Sequence, residues 1–211
     1  MNFMEKEQQQ KLYQYSILNK SAKKGQILFA GSSLMEQFPV YELLLSSKQT
    51  CIIYNRGIGG FTTTDMLAHM KEQILDIAPS KIFINIGTND ISRADYTVEK
   101  LTTNYRKILE RIKERLPQTK VYLMAYYPVN ELDRNYGNED ERRFETRNNR
   151  NIQMANEAIA KLAEEMGHQY IDVNKGLRDE RGMLKKEYTI DGIHMYANGY
   201  RVVWENLQNY L

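Results

Sequence analysis

The sequence predicts an α/β fold, a three-layer α/β/α sandwich around a five-stranded parallel sheet. Two observations support this prediction. Five short runs rich in apolar and β-branched residues recur along the chain, and the segments between them carry apolar residues at helical spacing. Strands that alternate with helices in this way form a parallel sheet with helices on both faces.

The strand candidates are almost continuously apolar, without the polar alternation of a strand that has one face in water. Strands covered by helices on both faces have this composition. We expect them at QILFA (26–30), CIIYN (51–55), KIFINIG (81–87), KVYLMAYY (120–127) and QYIDV (169–173).

The helix candidates carry apolar residues three and four positions apart, which gives one buried face. Pro117 follows one of them and cannot continue a helix, and Gly167 follows another in the position of a C-terminal cap. We expect helices over residues 98–116, 152–166 and 200–211, and an N-terminal helix over roughly residues 4–18.

Length and charge exclude several classes of function. A chain of 211 residues suits one sizeable domain, so we expect a single domain over 1–211 with 1–24 as an N-terminal helical extension. The net charge of +2 provides no field that would attract nucleic acid. No apolar stretch approaches the roughly 18 residues of a membrane span, so we expect no stable membrane insertion.

The number of cysteines indicates whether the protein works in a reducing or an oxidising cellular compartment. Cys51 is the only cysteine, so no internal disulfide can form, and the start of the sequence lacks the apolar core of a signal peptide. We therefore expect a cytoplasmic protein. Exposed rings among its 15 tyrosines would allow a homodimer.

Polar segments follow the strands at the edge where an open parallel sheet binds its ligands. The first four strands are followed by GSSL (31–34), RGIGGFTTTD (56–65), GTND (87–90) and YPVN (127–130). The fifth leads, after a charged connection, to DGIHMYANGY (191–200). We expect these segments to meet in one crevice.

Ser33 has two interpretations. It opens a Ser-x-x-Glu sequence, which is the form of a helix capping box. It also suits a nucleophile, provided that a general base and an orienting acid are near. Among the three histidines, His69 lies in a helical stretch and His168 precedes the fifth strand, so only His194 is placed at the carboxyl ends. Asp191, three residues earlier, can orient its imidazole.

An acyl-transfer site also needs hydrogen-bond donors where negative charge develops on the substrate oxygen. The sequence offers three candidates, each on a different loop. They are the backbone N–H of Ser33, the backbone N–H of Gly60 and the side-chain amide of Asn89.

Four blocks together carry a family resemblance: FAGSSLMEQFP (29–39), NRGIGGFTTTD (55–65), INIGTND (84–90) and DGIHMYANGY (191–200). In these blocks, their order and their spacing, the chain resembles the SGNH hydrolases, also called the GDSL lipase/esterase superfamily, over roughly residues 25–211. The resemblance implies a flavodoxin-like sheet with strand order 2-1-3-4-5. It also implies ester hydrolysis through an acyl-enzyme, with no metal or organic cofactor.

The resemblance assigns roles residue by residue. It implies that Ser33 is the nucleophile, His194 the general base and Asp191 its partner, with the same three oxyanion donors. The first block of the family usually reads Gly-Asp-Ser, whereas Ser32 stands at the middle position here. A serine hydroxyl supports a loop more weakly than a carboxylate.

Two rival functions use the same segments. In a metallophosphoesterase, Asp90, Asp191 and His194 would bind metal, although such sites usually gather several histidines and acids. In a flavodoxin-like binding module, the glycine- and serine-containing loops would hold a phosphate or sugar at helix N-termini. That second interpretation leaves the Asp191–His194 pair without a role.

The substrate is the least specified part of the prediction. The sequence lacks a long apolar lid, which favours a small-molecule ester with a short acyl or acetyl group. Lysophospholipases and platelet-activating-factor acetylhydrolase-like enzymes in the resembled family are the alternatives. The charged segment 130–151 is either a solvated loop or a flap over the crevice. Candidate contacts to the alcohol portion are Arg56, Tyr127, Asn130 and the Arg142/Arg143 pair. For Arg142 and Arg143, ordinary surface ion pairs are the favoured interpretation.

Overall fold

The computed structural model describes residues 5–133 and 143–211. Five strands form one sheet in the order β2-β1-β3-β4-β5, and every neighbouring pair is parallel. The strands are β1 (Ile27–Gly31), β2 (Ile53–Gly57), β3 (Lys81–Asn85), β4 (Lys120–Met124) and β5 (Gln169–Ile171). The predicted sheet and its strand order are confirmed.

Helices connect the strands throughout the described ranges. They are α1 (Lys6–Leu18), α2 (Ser33–Glu36), α3 (Val40–Leu45), α4 (Thr63–Ala68), α5 (Met70–Gln73), α6 (Thr88–Ile91), α7 (Val98–Arg115), α8 (Arg143–Thr146), α9 (Asn149–Glu165) and α10 (Ala197–Leu207). Short 3-10 turns lie at Leu75–Ile77, Lys186–Tyr188 and Gln208–Tyr210. The four long predicted helices are all present.

Apolar clusters on the two faces of the sheet make the three layers. Side chains alternate along a strand, so Leu28 of β1 faces one layer and Phe29 the other. Helices α1, α4, α5, α7 and α9 bury apolar residues against the first face, and α3 and α10 against the second. The sandwich is therefore the one that the alternation of strands and helices predicts.

Strands β3 and β4 end earlier than their apolar runs. We expected β3 to reach residue 87 and β4 to reach residue 127, whereas they end at Asn85 and Met124. Ile86 and Tyr126 are buried just beyond these ends, in loops rather than in the sheet. These loop residues are as apolar as strand residues because they are buried, so the sequence pattern did not distinguish them from the strands. The same loops provide the polar groups of the crevice.

Helix α1 packs tightly on the rest of the fold. Leu12 is buried, the hydroxyl of Tyr15 donates to the carbonyl of Gly57 (2.7 Å), and the amide of Asn19 donates to the carbonyl of Glu72 (2.8 Å). Because Gly57 ends β2, these contacts fix α1 beside the carboxyl edge of the sheet.

Membrane insertion and the predicted flap are the two remaining expectations that concern the fold. No helix in the described ranges is long and apolar enough to cross a membrane. Residues 134–142 of the segment considered as a flap, among them Arg142, lie outside the described residues. The side chain of Arg143 also lies outside them.

Candidate active site

Ser33 lies at the turn between β1 and α2, directly beside a histidine. Its Oγ lies 3.0 Å from Nε2 of His194, although the two residues are 161 positions apart. Ser33 is the first residue of α2, and the capping residue is Ser32, without a side-chain capping bond. The capping box that we considered for Ser33 is therefore not formed, and its hydroxyl faces the imidazole.

Asp191 holds the other side of that imidazole. Its Oδ2 lies 2.9 Å from Nδ1 of His194, and its Oδ1 accepts the backbone N–H groups of Ile193 (2.9 Å) and His194 (2.8 Å). Burial raises the pKa of Asp191, but the hydrogen bonds from the His194 ring and backbone outweigh it, so the pKa lies well below its usual range. A carboxylate that stays ionised favours the tautomer with a proton on Nδ1, which leaves Nε2 free to accept the Ser33 proton.

The turn that carries this pair depends on a glycine and is held by Asn130. Gly192 has φ +90°, and a Cβ there would lie 2.7 Å from the carbonyl oxygen of Asn130. The N–H of Asn130 donates to the carbonyl of Gly192 (2.8 Å), while its side-chain amide donates to the carbonyl of Leu184 (2.8 Å). Asn130, which is 4% exposed, thus supports the turn instead of contacting the alcohol as we expected.

The second and third oxyanion candidates lie side by side. Gly60 has φ +77°, and its N–H has no hydrogen-bond partner among the residues that the structure describes. A Cβ on the preceding Gly59 would lie 3.9 Å from Cβ of Ser33, so this loop borders the serine. The side-chain nitrogen of Asn89 donates one hydrogen to the carbonyl of Phe61 (2.9 Å), and no residue of the described ranges accepts its second hydrogen, which suits it to bind a ligand.

Arg147 is a site residue that the sequence analysis missed. It is buried (7% exposed), donates from Nη2 to the side-chain oxygen of Asn89, and donates from Nε to the carbonyl of Thr88 (3.0 Å). These bonds fix which way the Asn89 amide points. Arg147 lies in the charged segment 130–151, 58 positions after Asn89, and no local motif there distinguishes it from the neighbouring charged residues.

Asp90 joins two of the loops. Its carboxylate accepts the backbone N–H of Thr63 (2.9 Å) and the Thr63 hydroxyl. Burial raises the pKa of Asp90, and the hydrogen bonds from Thr63 offset part of that rise. The rival metal set needs Asp90 beside His194, whereas the structure directs this carboxylate to the start of α4. Within the described residues, no three His, Cys, Asp or Glu side chains are grouped to hold a metal ion.

Ser32 and Ser33 differ sharply in their surroundings. Ser32 is fully buried, and its Oγ has no partner in the described ranges, whereas Ser33 is partly exposed and bonded to His194. The backbone carbonyl of Ser32 accepts the N–H groups of Met35 (3.1 Å) and Glu36 (2.8 Å), which forms the turn into α2.

Two further residues expected at the substrate are buried elsewhere. Arg56 is 4% exposed, lies over the ring of Tyr15, and donates from Nε to the side chain of Asn19 (3.0 Å). Tyr127 is 2% exposed, and burial raises the pKa of its hydroxyl. We correct both expectations: Arg56 anchors α1, and the Tyr127 ring belongs to the apolar cluster on the α3/α10 face of the sheet.

Comparison with known proteins gives one matching family model. Residues 29–202 match the model described as the GDSL-like lipase/acylhydrolase family. The match begins in β1 and ends in α10, so it contains every residue named above for the site except Tyr15 and Asn19.

Three relatives illustrate the similarity. A structure from Streptococcus pneumonia, provisionally named a platelet activating factor, has a TM-score of 0.85 and 35% identity, with 97% of this chain and 92% of that chain covered. The platelet-activating factor acetylhydrolase IB subunit alpha2 of Rattus norvegicus is 24% identical over 90% of this chain and 78% of its own length. The N-acylneuraminate cytidylyltransferase of Escherichia coli O18:K1:H7 is 31% identical over 72% of this chain, which spans about a third (33%) of the cytidylyltransferase.

Proposed function

The chain belongs to the GDSL-like lipase/acylhydrolase family, and we propose that it hydrolyses carboxylic esters with Ser33 as nucleophile. The observation that carries this proposal is the hydrogen-bonded chain from Ser33 through His194 to Asp191. It has the geometry that activates a weak nucleophile: a base within hydrogen-bond reach, itself oriented by an acid.

In the first half of the reaction, Oγ of Ser33 bonds to the ester carbonyl carbon while its proton passes to Nε2 of His194. Asp191 stabilises the imidazolium through Nδ1. The bond between carbon and the alcohol oxygen then breaks, and Nε2 returns the proton to the leaving alcohol. Water repeats the sequence on the acyl-enzyme and releases the acid and free Ser33.

The tetrahedral intermediate places a negative charge on the former carbonyl oxygen. We assign its stabilisation to the N–H groups of Ser33 and Gly60 and to the free hydrogen of the Asn89 amide. Two properties support this assignment: the Gly60 N–H is not used within the described part of the chain, and Arg147 restrains Asn89. A donor of this kind is worth roughly 10²–10³ in kcat.

The test is a pair of serine variants. Ser33→Ala should abolish hydrolysis of p-nitrophenyl acetate and covalent labelling by a fluorophosphonate, with an unchanged circular dichroism spectrum. Ser32→Ala is the matched control and should keep both properties, because Ser32 Oγ makes no bond within the described residues. If Ser33→Ala retained full activity, the assignment of the nucleophile would be wrong.

We further propose short acyl groups, acetyl in particular, on a small-molecule alcohol. The similarity to an acetylhydrolase subunit and to a protein named for platelet activating factor supports an acetyl ester. A panel of esters from acetyl to octanoyl on one alcohol tests the acyl preference. A maximum of kcat/KM at octanoyl would overturn it and favour the lysophospholipase alternative.

For the cellular setting, we propose the cytoplasm, which the single cysteine supports. Localisation of a tagged protein by cell fractionation tests this. A homodimer stays a prediction that light scattering of the purified protein can examine.

A further inference from the structure

We propose that α1 completes the oxyanion hole, with Gln8 as a positioning residue for the Gly60 N–H. This inference rests on the ester hydrolase proposed above. Gln8 lies outside the matched residues 29–202, so the family match assigns it no role.

The first observation is a bond from α1 to the peptide group that carries the donor. Nε2 of Gln8 donates to the carbonyl oxygen of Gly59 (2.8 Å). That carbonyl and the N–H of Gly60 belong to one planar trans peptide, so they point in opposite directions. A bond that fixes the Gly59 oxygen on the α1 side therefore directs the Gly60 N–H away from α1.

The second observation is that the donor peptide lies between two glycines. The backbone dihedral angles of two adjacent glycines vary more freely than those of other residue types, so the peptide between Gly59 and Gly60 can rotate. Gly60 takes the left-handed region at φ +77°. Local sequence therefore does not hold this peptide in one orientation. Gln8 does so from outside, close enough that a Cβ on Gly60 would lie 2.7 Å from its Nε2.

The third observation is that α1 also reaches the other side of Gly59. The Gly59 N–H donates to Oε2 of Glu36, and Oε1 of the same carboxylate pairs with the ammonium of Lys11. Gln8 and Lys11 stand three residues apart and so share one face of α1. Both backbone groups of Gly59 are thus tied, directly or through Glu36, to one helix face.

These bonds also affect the strength of the donor. A hydrogen bond accepted by a carbonyl polarises its peptide group, so the N–H of that peptide becomes a better donor. The anchoring of α1 through Tyr15 and Asn19 keeps Gln8 in place. The Gly60 N–H is therefore preorganised for a negative oxygen before substrate arrives.

The test compares substitutions at Gln8 with one at Gln10, an exposed residue of the same helix. Gln8→Met keeps the length of the side chain and the helix propensity but removes the donor to Gly59, together with the acceptor of the Glu5 N–H (3.1 Å) at the start of α1. Removing a whole oxyanion donor costs roughly 10²–10³ in kcat. Because Gln8→Met leaves the Gly60 N–H present but unrestrained, we expect a smaller loss of about tenfold in kcat, with little change in KM.

Two further measurements separate positioning from packing. A boronic acid that forms a tetrahedral adduct on Ser33 should bind about tenfold more weakly to Gln8→Met, in parallel with kcat. Gln8→Ala should lose no more activity than Gln8→Met, since the missing donor is the cause in both. Gln10→Ala should match the unmodified protein.

The inference is overturned if Gln8→Met keeps kcat and boronate affinity within twofold, or if only Gln8→Ala is impaired. That failure is distinct from failure of the proposed function. An active Ser33→Ala variant would overturn the hydrolase mechanism itself, whereas an inactive Ser33→Ala with fully active Gln8 variants would overturn only the role of α1.

Discussion

The substitution Asp191→Asn gives the sharpest test of how the proposed triad of Ser33, His194 and Asp191 produces activity. In the structure, Oδ1 accepts two backbone N–H groups and Oδ2 lies 2.9 Å from Nδ1 of His194. An asparagine keeps the first oxygen and places an NH₂ group opposite Nδ1. That group can only donate, so Nδ1 must lose its proton and the neutral ring carries its proton on Nε2.

The expected loss follows from this change of tautomer. With a proton on Nε2, His194 donates to Oγ of Ser33 and no longer removes its proton. General-base assistance contributes roughly 10²–10⁴ in rate, and the lost stabilisation of the imidazolium places the effect at the upper end. We expect kcat to fall by roughly 10³–10⁴, about 4–5.5 kcal/mol of activation free energy, with KM nearly unchanged.

Stability supplies an independent measurement on the same variant. The pKa of Asp191 is lowered in the fold, so its ionised form contributes stability above the unfolded pKa of about 3.9. This contribution is lost as pH falls below that value toward the folded pKa. Asp191→Asn should therefore lower the free energy of unfolding at pH 7 and flatten its dependence on pH in the acid range.

The matched control is Asp179→Asn. Asp179 also accepts two backbone N–H groups in a turn, from Arg181 (2.9 Å) and Met183 (3.0 Å), and its pKa is also lowered, but it contacts no histidine in the described residues. Steady-state hydrolysis of p-nitrophenyl acetate should leave this control close to the unmodified protein. A value of kcat for Asp191→Asn within tenfold of the unmodified protein would refute the tautomer argument.

Three further substitutions test other parts of the site. Arg147→Met should lower kcat by roughly tenfold to a hundredfold with little effect on KM, because Asn89 loses the bond that orients its amide; unchanged kinetics would remove Arg147 from the site. Gly60→Ala should cost roughly 1–2 kcal/mol for the left-handed backbone, lower the melting temperature by about 5 °C and lower kcat, since its methyl group would meet Gln8; an unchanged melting curve would contradict this. Arg56→Met should cost about 2 kcal/mol of stability in urea unfolding through the lost bonds to a charged group; a changed order of alcohol preference in the ester panel would instead restore Arg56 as a substrate contact.

Sequence reasoning reached the parts of the fold that local pattern encodes. The strands and long helices follow from apolar runs and helical spacing. Ser33 and the Asp191–His194 pair are weak candidates when taken singly, and they indicate a site only together, as a nucleophile with its base and orienting acid. Gly60 and Asn89 follow from the rule that loops at the carboxyl edge of a parallel sheet meet. The ends of β3 and β4 were harder to predict from the sequence, because the loop residues Ile86 and Tyr126 are buried and as apolar as strand residues.

The supporting residues could not be found in this way. Gln8 and Arg147 act through bonds to residues 51 and 58 positions away, and neither stands in a distinctive pattern. Arg56 was misplaced for a related reason. A charged side chain at the end of a strand suggests a ligand contact, yet here α1 covers it and supplies its partners.

The separation of 161 positions between Ser33 and His194 also has a consequence for how activity arises during folding. The hydroxyl of Tyr200 in α10 donates to the carbonyl of Leu34 (2.9 Å), next to Ser33, so α10 closes directly onto the first βα turn. An intermediate in which these two regions have not met has an ordinary serine and an ordinary histidine. Reactivity toward a fluorophosphonate should therefore appear late in refolding and report completion of the native contacts.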